Sequence, residues 1–228
     1  MLTKHLPNFL TICNLLCGCI GIVLVFQGNL YYATYLIWLA AVFDFFDGFV
    51  ARWLNAFSAI GKELDSLADM VTFGALPAFI MFHLLNQTFP DSFIPYIAFA
   101  IAAFSALRLA KFNVDTRQSD SFIGLPTPAN ALFISALPFV IESNTTLGDF
   151  FSNGYSLLVI TVVFSLLLVA EIRLFALKFK NAKWQDNKVR FIFIALSLVL
   201  IALFQITSIP MIIVLYILLS LPESRSNL

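Results

Sequence analysis

Long apolar runs separated by short polar breaks organise the whole chain. About 20 consecutive apolar residues cross the hydrocarbon of a bilayer as a helix. By that measure the pattern predicts spans near 9–27, 30–53, 62–86, 92–113, 128–142, 154–178, 188–205 and 208–221. Pro77 and Pro138 fall inside the third and fifth spans, where proline kinks or interrupts a helix unless neighbouring groups satisfy the freed carbonyls. Pro126 and Pro128 mark the turn into the fifth. The expected fold is an all-α, polytopic integral membrane helix bundle forming one domain, residues 1–228.

Composition agrees with this reading. Of 228 residues, 61% are hydrophobic, only 11% are charged and 26 are phenylalanine, which leaves no hydrophilic tract for a separate soluble domain. Charge then orients the bundle, because Lys and Arg collect in cytoplasmic connections. With the N-terminus inside, all 13 basic residues fall on the cytoplasmic side: Lys4, Arg52, Lys62, Arg108, Lys111, Arg117, Arg173, those of the 178–190 segment, and Arg225. The outer connections hold Asp91, Glu142 and Asp149 but no base. The first span reads as a retained helix, Cys13, Cys17 and Cys19 within it read as small apolar packing residues, and no nucleic-acid partner is expected.

Four aspartates depart from the apolar pattern. Asp44 and Asp47 are three apart on one helix, Asp65 and Asp69 four apart on the next, so each pair shares a face. Gly48 and Ala51 lie on the first stripe and Gly61 on the second, leaving backbone open to a bulky ligand. Ionised groups beside hydrocarbon are tolerated mainly where they pair, face water or hold ions. His5, His83 and the cysteines lie elsewhere, so the donors are oxygens alone, which suit Mg2+ or Mn2+ rather than zinc. Two such ions about 3.5–4 Å apart clamp a phosphoryl centre. A cation or proton transporter is the distant alternative, but it would place acids near the midplane and echo them in a second half.

In order, these residues reproduce D-x-x-D-G-x-x-A-R-x8-G-x3-D-x3-D, with Asp44, Asp47, Gly48, Ala51, Arg52, Gly61, Asp65 and Asp69 all in register. The stretch resembles the signature of the CDP-alcohol phosphatidyltransferases. That resemblance implies a six-helix core and a homodimer. It also implies two divalent metal ions held by Asp44, Asp47, Asp65 and Asp69, CDP bound along Gly48, Ala51, Arg52 and Gly61, departure of CMP, and Asp69 as general base. The chemistry is consistent, since displacing CMP from a diphosphate needs charge neutralisation, an oriented hydroxyl and a proton acceptor. Arg52 equally suits an interfacial arginine that fixes topology.

Further stretches, PNFLTICNLLCG, DSLADMVTFGALPA, ALRLAKFNV and FIGLPTPANA, lie within residues 7–131 and resemble bacterial and archaeal phosphatidylserine synthases. The implied partners are CDP-diacylglycerol, L-serine and membrane lipids. The implied setting is a bacterial cytoplasmic membrane, with the active site on the cytoplasmic side. Arg108, Lys111 and Asn113 are the candidates for the serine carboxylate or a lipid phosphate. Their plain alternative is a basic helix end at the membrane surface. Lys111 stands where these synthases usually carry arginine. Relatives that use glycerol phosphate or inositol phosphate would call for a denser basic pocket.

Overall fold

The computed structural model describes residues 5–115, 121–143, 145–176 and 184–226. Lys4, Arg117, Lys178, Lys180 and Lys183, counted above for orientation, lie outside them. Helices α1 (Leu6–Phe26) and α2 (Leu30–Trp53) form a hairpin through Gly28, whose φ of +78° suits a residue without Cβ. At the other end, α2 closes with Asn55 in the left-handed region (φ +50°). The Ala56 N–H bonds the Ala51 carbonyl at 2.9 Å, and the Asn55 N–H bonds that of Arg52 at 3.3 Å. This cap satisfies the last carbonyls of α2 and reverses the chain.

The third predicted span runs from Ala59 to Thr88, but it is not one regular helix. Helix α3 (Ala59–Asp69) passes into a π-helical segment, Met70–Ala75, and then α4 (Leu76–Thr88). Pro77 stands in the first turn of α4, so its expected disruption is absorbed by the wider turn upstream, where the Leu76 N–H reaches back five residues to the Val71 carbonyl. A 3-10 turn, Ile94–Ala98, precedes α5 (Phe99–Val114). Helix α6 (Thr127–Ile141) runs through Pro138 without ending there. Thr34 of α2 donates to the Ser135 carbonyl at 2.7 Å, satisfying a polar group beside the one that Pro138 leaves free.

After α6 the chain bends by 110° into a short α7 (Thr146–Ser152) and continues into α8 (Gly154–Val169). The expected helix over 154–178 therefore stops early. Residues Arg173–Phe175 form strand β2, paired antiparallel with β1 (Ser121–Ile123). Gly124, at φ +79°, places its N–H 2.9 Å from the Ile172 carbonyl, and a Cβ there would strike the Leu168 carbonyl. Backbone pairing between distant segments thus overrides an apolar stretch that favours helix. Helices α9 (Trp184–Phe204) and α10 (Ser208–Ser226) fold back on each other, bringing the Phe193 and Tyr216 rings to 5.8 Å.

Among the described residues, five stretches are long and apolar enough to cross a membrane, or six when α6 and α7 count as one. The stretch 187–222 among these includes both α9 and α10, and α8 is a shorter apolar helix, so the bundle accommodates the eight predicted spans. Its core centres on α4 and α6, where Ile80, Met81, Leu85, Ile134 and Leu137 are wholly buried. Phe9, Phe26, Phe45 and Leu203 are among the large apolar residues left outside, a surface suited to lipid. Phe139 packs on Tyr31, Gly154 on Phe89, and Thr207 shares a cavity wall with Leu147. The connections free of Lys and Arg therefore gather at one end of the bundle, and the aspartates lie toward the other.

Candidate active site

Helix α1 organises the acidic site because it packs against both α2 and α3. Its Gly18 lies so close to the π-helical segment that a Cβ would overlap the Thr72 hydroxyl, and Gly21 meets Leu76 in the same way. Thr72 seals this contact by donating to the Asn14 carbonyl at 3.0 Å. Close passage at the two glycines leaves the preceding turns of α1 facing the carboxylates. There the Thr11 hydroxyl donates to Asp47 Oδ2 at 2.7 Å, and Asn14 Nδ2 donates to Asp69 Oδ1 at 3.2 Å.

Asp44, Asp47 and Asp65 converge from α2 and α3, each offering an oxygen, with all three oxygens within 4.8 Å of one another. Asp69 is outside this trio but within hydrogen-bonding reach of Asp44, and Asp47 and Asp69 are buried. Three carboxylates in partly desolvated space repel one another unless a cation lies between them. The donor set is oxygen alone, and Asp65 Oδ1 is buried with no hydrogen-bond partner. Both features fit a hard divalent cation.

Beside the trio lies a cavity of about 170 Å³, lined by Asp47, Gly48, Ala51, Gly61 and Asp65 from the expected set, together with Asn8, Thr11 and Ser58. Gly61 is held there by contact, since a Cβ would come within 2.9 Å of Ser58 Oγ and 3.1 Å of Asn8 Oδ1. Ser58 caps α3 by accepting from the Gly61 N–H at 2.9 Å. Gly48 differs. A Cβ there would meet only the Arg52 guanidinium, at an ordinary 3.5 Å, so the surrounding protein leaves this face of α2 open toward the cavity. Arg52 itself is exposed in the last turn of α2 and does not line the cavity.

The second candidate set divides. Arg108 and Lys111 line a separate cavity of about 320 Å³ with Asp115, Ile123, Leu168 and Glu171 among its other walls. Arg108 is buried, donates to Thr127 Oγ1 at 3.3 Å and stacks over Phe112 at 5.1 Å, while its Nε has no partner. It also lies within electrostatic range of Asp69 and Asp44, linking this cavity to the carboxylates. Asn113 is elsewhere: its side-chain amide donates to Ser66 Oγ at 2.9 Å and its backbone carbonyl accepts from Lys62 Nζ at 3.0 Å, tying α5 to α3.

Asn8, Thr11 and Asn14 were not singled out from the sequence, although their recurrence every three residues in an apolar span is a readable signal.

Comparison with known proteins bears on the same residues. The sequence profile described as CDP-alcohol phosphatidyltransferase matches residues 4–167, a region that takes in α1 to α7 and most of α8 and stops before α9 and α10. The chain is 37% identical over 137 residues to the CDP-diacylglycerol–serine O-phosphatidyltransferase of Bacillus subtilis, covering 60% of this chain and 76% of that protein. It is 32% identical over 207 residues to the Helicobacter pylori protein of that name, covering 86% and 81%. Against the Methanocaldococcus jannaschii protein of that name, identity is 30% over 168 residues, covering 74% and 72%. With the profile covering most of the chain and the acidic cluster built from its spans, the chain belongs to the CDP-alcohol phosphatidyltransferase family.

Proposed function

We propose that the protein transfers a phosphatidyl group from CDP-diacylglycerol to the hydroxyl of L-serine, giving phosphatidylserine and CMP. The observation that carries this reading is the convergence of Asp44, Asp47 and Asp65 beside a cavity open at Gly48, in a chain whose relatives bear the serine-transferase name. Asp44, Asp47, Asp65 and Asp69 would hold two ions, Mg2+ or Mn2+. Bound there, such ions would supply charge neutralisation of the diphosphate and polarisation of the phosphoryl group.

The chain's own residues do the rest. Gly48, Ala51 and Gly61 admit the nucleotide against the helix backbones, and Arg52 reaches its phosphates from the rim. Asp69, steadied through one oxygen by Asn14, takes the serine hydroxyl proton as the serine oxygen bonds to the phosphorus bearing diacylglycerol. The bond from this phosphorus to the CMP oxygen breaks, and CMP leaves with the electron pair. Arg108 and Lys111 receive the serine carboxylate, while Asp115 and Glu171 on the same cavity wall suit its ammonium group. That mixture of signs suits a zwitterion.

The reading includes a homodimer in a bacterial cytoplasmic membrane, with the N-terminus and aspartates on the cytoplasmic side. Orientation is supported by the collection of Arg52, Lys62, Lys111, Arg173 and Lys188 away from the base-free end of the bundle. The test is CMP release by purified protein given CDP-diacylglycerol, Mg2+ or Mn2+, and serine, glycerol 3-phosphate or inositol phosphate in turn. Release with serine alone is expected. Release only with a phosphorylated acceptor overturns the serine assignment.

A further inference from the structure

At the base-free end of the bundle, far from the aspartates, α2 and α6 enclose an open cavity of about 450 Å³ lined by Tyr31, Tyr32, Tyr35, Phe139, Glu142 and Ser143. Sixteen residues of α2 separate Tyr31 from Asp47, about 24 Å along the helix axis. The rings form a continuous wall: Phe139 lies 4.7 Å from Tyr31 and 5.6 Å from Tyr35, and Tyr32 lies 6.5 Å from Tyr35. Trp38 stacks on Phe139 from behind at 5.8 Å.

A belt of interfacial aromatics needs no acid, yet Glu142 is set in this wall beside Tyr31. Helix-end connections at this end of the bundle, 27–29, 86–93, 142–153 and 205–207, carry no Lys or Arg that could neutralise it. Aromatic faces attract a cation that has shed part of its water, a small hard ion sheds water poorly, and a carboxylate adds a charged acceptor. Together these select an organic ammonium group.

We propose that this cavity binds an alkylammonium group, carried either by an amine-headgroup phospholipid or by a soluble amine. Trp38 supplies the reporter, because replacing Trp53 and Trp184 by Phe leaves it as the last of the three tryptophans. In that background the full chain is titrated with tetramethylammonium chloride against sodium chloride, and is separately compared in phosphatidylglycerol nanodiscs with and without phosphatidylethanolamine. A saturable change in Trp38 emission with the ammonium salt but not sodium is expected, or a change specific to the ethanolamine lipid. A response to the salt alone identifies a soluble amine, and a response to the lipid alone identifies a headgroup.

Glu142→Gln should weaken the response about tenfold, and Tyr35→Leu roughly threefold. CMP release should stay unchanged in both, which establishes that the variants fold and separates this site from the catalytic reading. The proposal is overturned if sodium acts like the ammonium salt, if neither ammonium source is sensed, or if Glu142→Gln binds as tightly as the parent.

Discussion

Two cavities flank the carboxylates, and they are built on opposite principles. The one beside Gly48 is assembled from α1, α2 and α3, consecutive in the chain, with its chemistry repeated at helical spacing on each. The one beside Arg108 draws on α5, β1 and the end of α8, with α6 and α7 intervening in the chain. Its shape depends on β1 meeting β2. On the proposed reading, neighbouring helices with periodic chemistry build the metal and nucleotide site, whereas selecting an acceptor requires closure across intervening elements. The division suggests a shared phosphoryl-transfer end and a separately adjustable acceptor end.

The largest effect that would break this comparison is expected at their junction. Asp69→Asn should lower kcat by about 10³-fold, the scale of a lost general base, in a chain that still folds and binds CDP-diacylglycerol. Single-turnover CMP release and lipid binding measure the two separately. A variant near the parent rate would remove Asp69 as the base and leave the two cavities without a common chemical step.

Next in size is Arg108→Gln. Losing a buried charged hydrogen-bond donor removes about 1.5–3 kcal/mol, so kcat/KM for serine should fall roughly 10²-fold. KM for CDP-diacylglycerol should stay in place. An equal rise in both would show that Arg108 serves the diphosphate and that the cavities divide differently.

A smaller effect tests the first cavity's support. Thr11→Val removes the 2.7 Å hydrogen bond to Asp47 with little change of shape. Groups that orient a metal ligand are worth about 10- to 100-fold in affinity or activity. The low end is expected here, because Asp44 and Asp65 still provide ligands. The half-saturating metal concentration for CMP release should rise about tenfold while kcat at saturating metal changes little.

These contrasts follow what could be read in advance. The span over 30–53 coincides with α2, and Asp44, Asp47 and Asp65 lie together, because a helix converts sequence separation directly into shared faces. The π-helical segment after Asp69 had no such signal. It depends on Pro77 downstream and on the close approach of Gly18 to Thr72, contacts made only once α1 is packed. β1 and β2 were equally hidden, since residues 173–175 follow closely on an apolar run and pair as a strand with residues 121–123, some fifty positions earlier. The same reasoning separates Asn113 from Arg108. Proximity in sequence suggested one recognition group, but one side chain turns toward the cavity and the other toward Ser66.

Lys111 provides the smallest and most discriminating perturbation. It lines the cavity proposed for the acceptor, yet it is exposed, so water screens its charge and an ion pair formed there is worth only about 0–1 kcal/mol. Arginine at this position would add a planar fork able to grip a carboxylate through two parallel hydrogen bonds. Ordering its side chain offsets part of that gain. Lys111→Arg should accordingly lower KM for serine by no more than about threefold and leave kcat and the metal requirement unchanged. A drop of a hundredfold would move acceptor recognition from buried Arg108 to the exposed rim. A collapse of kcat would instead place Lys111 against the reacting phosphorus, joining the two cavities into one.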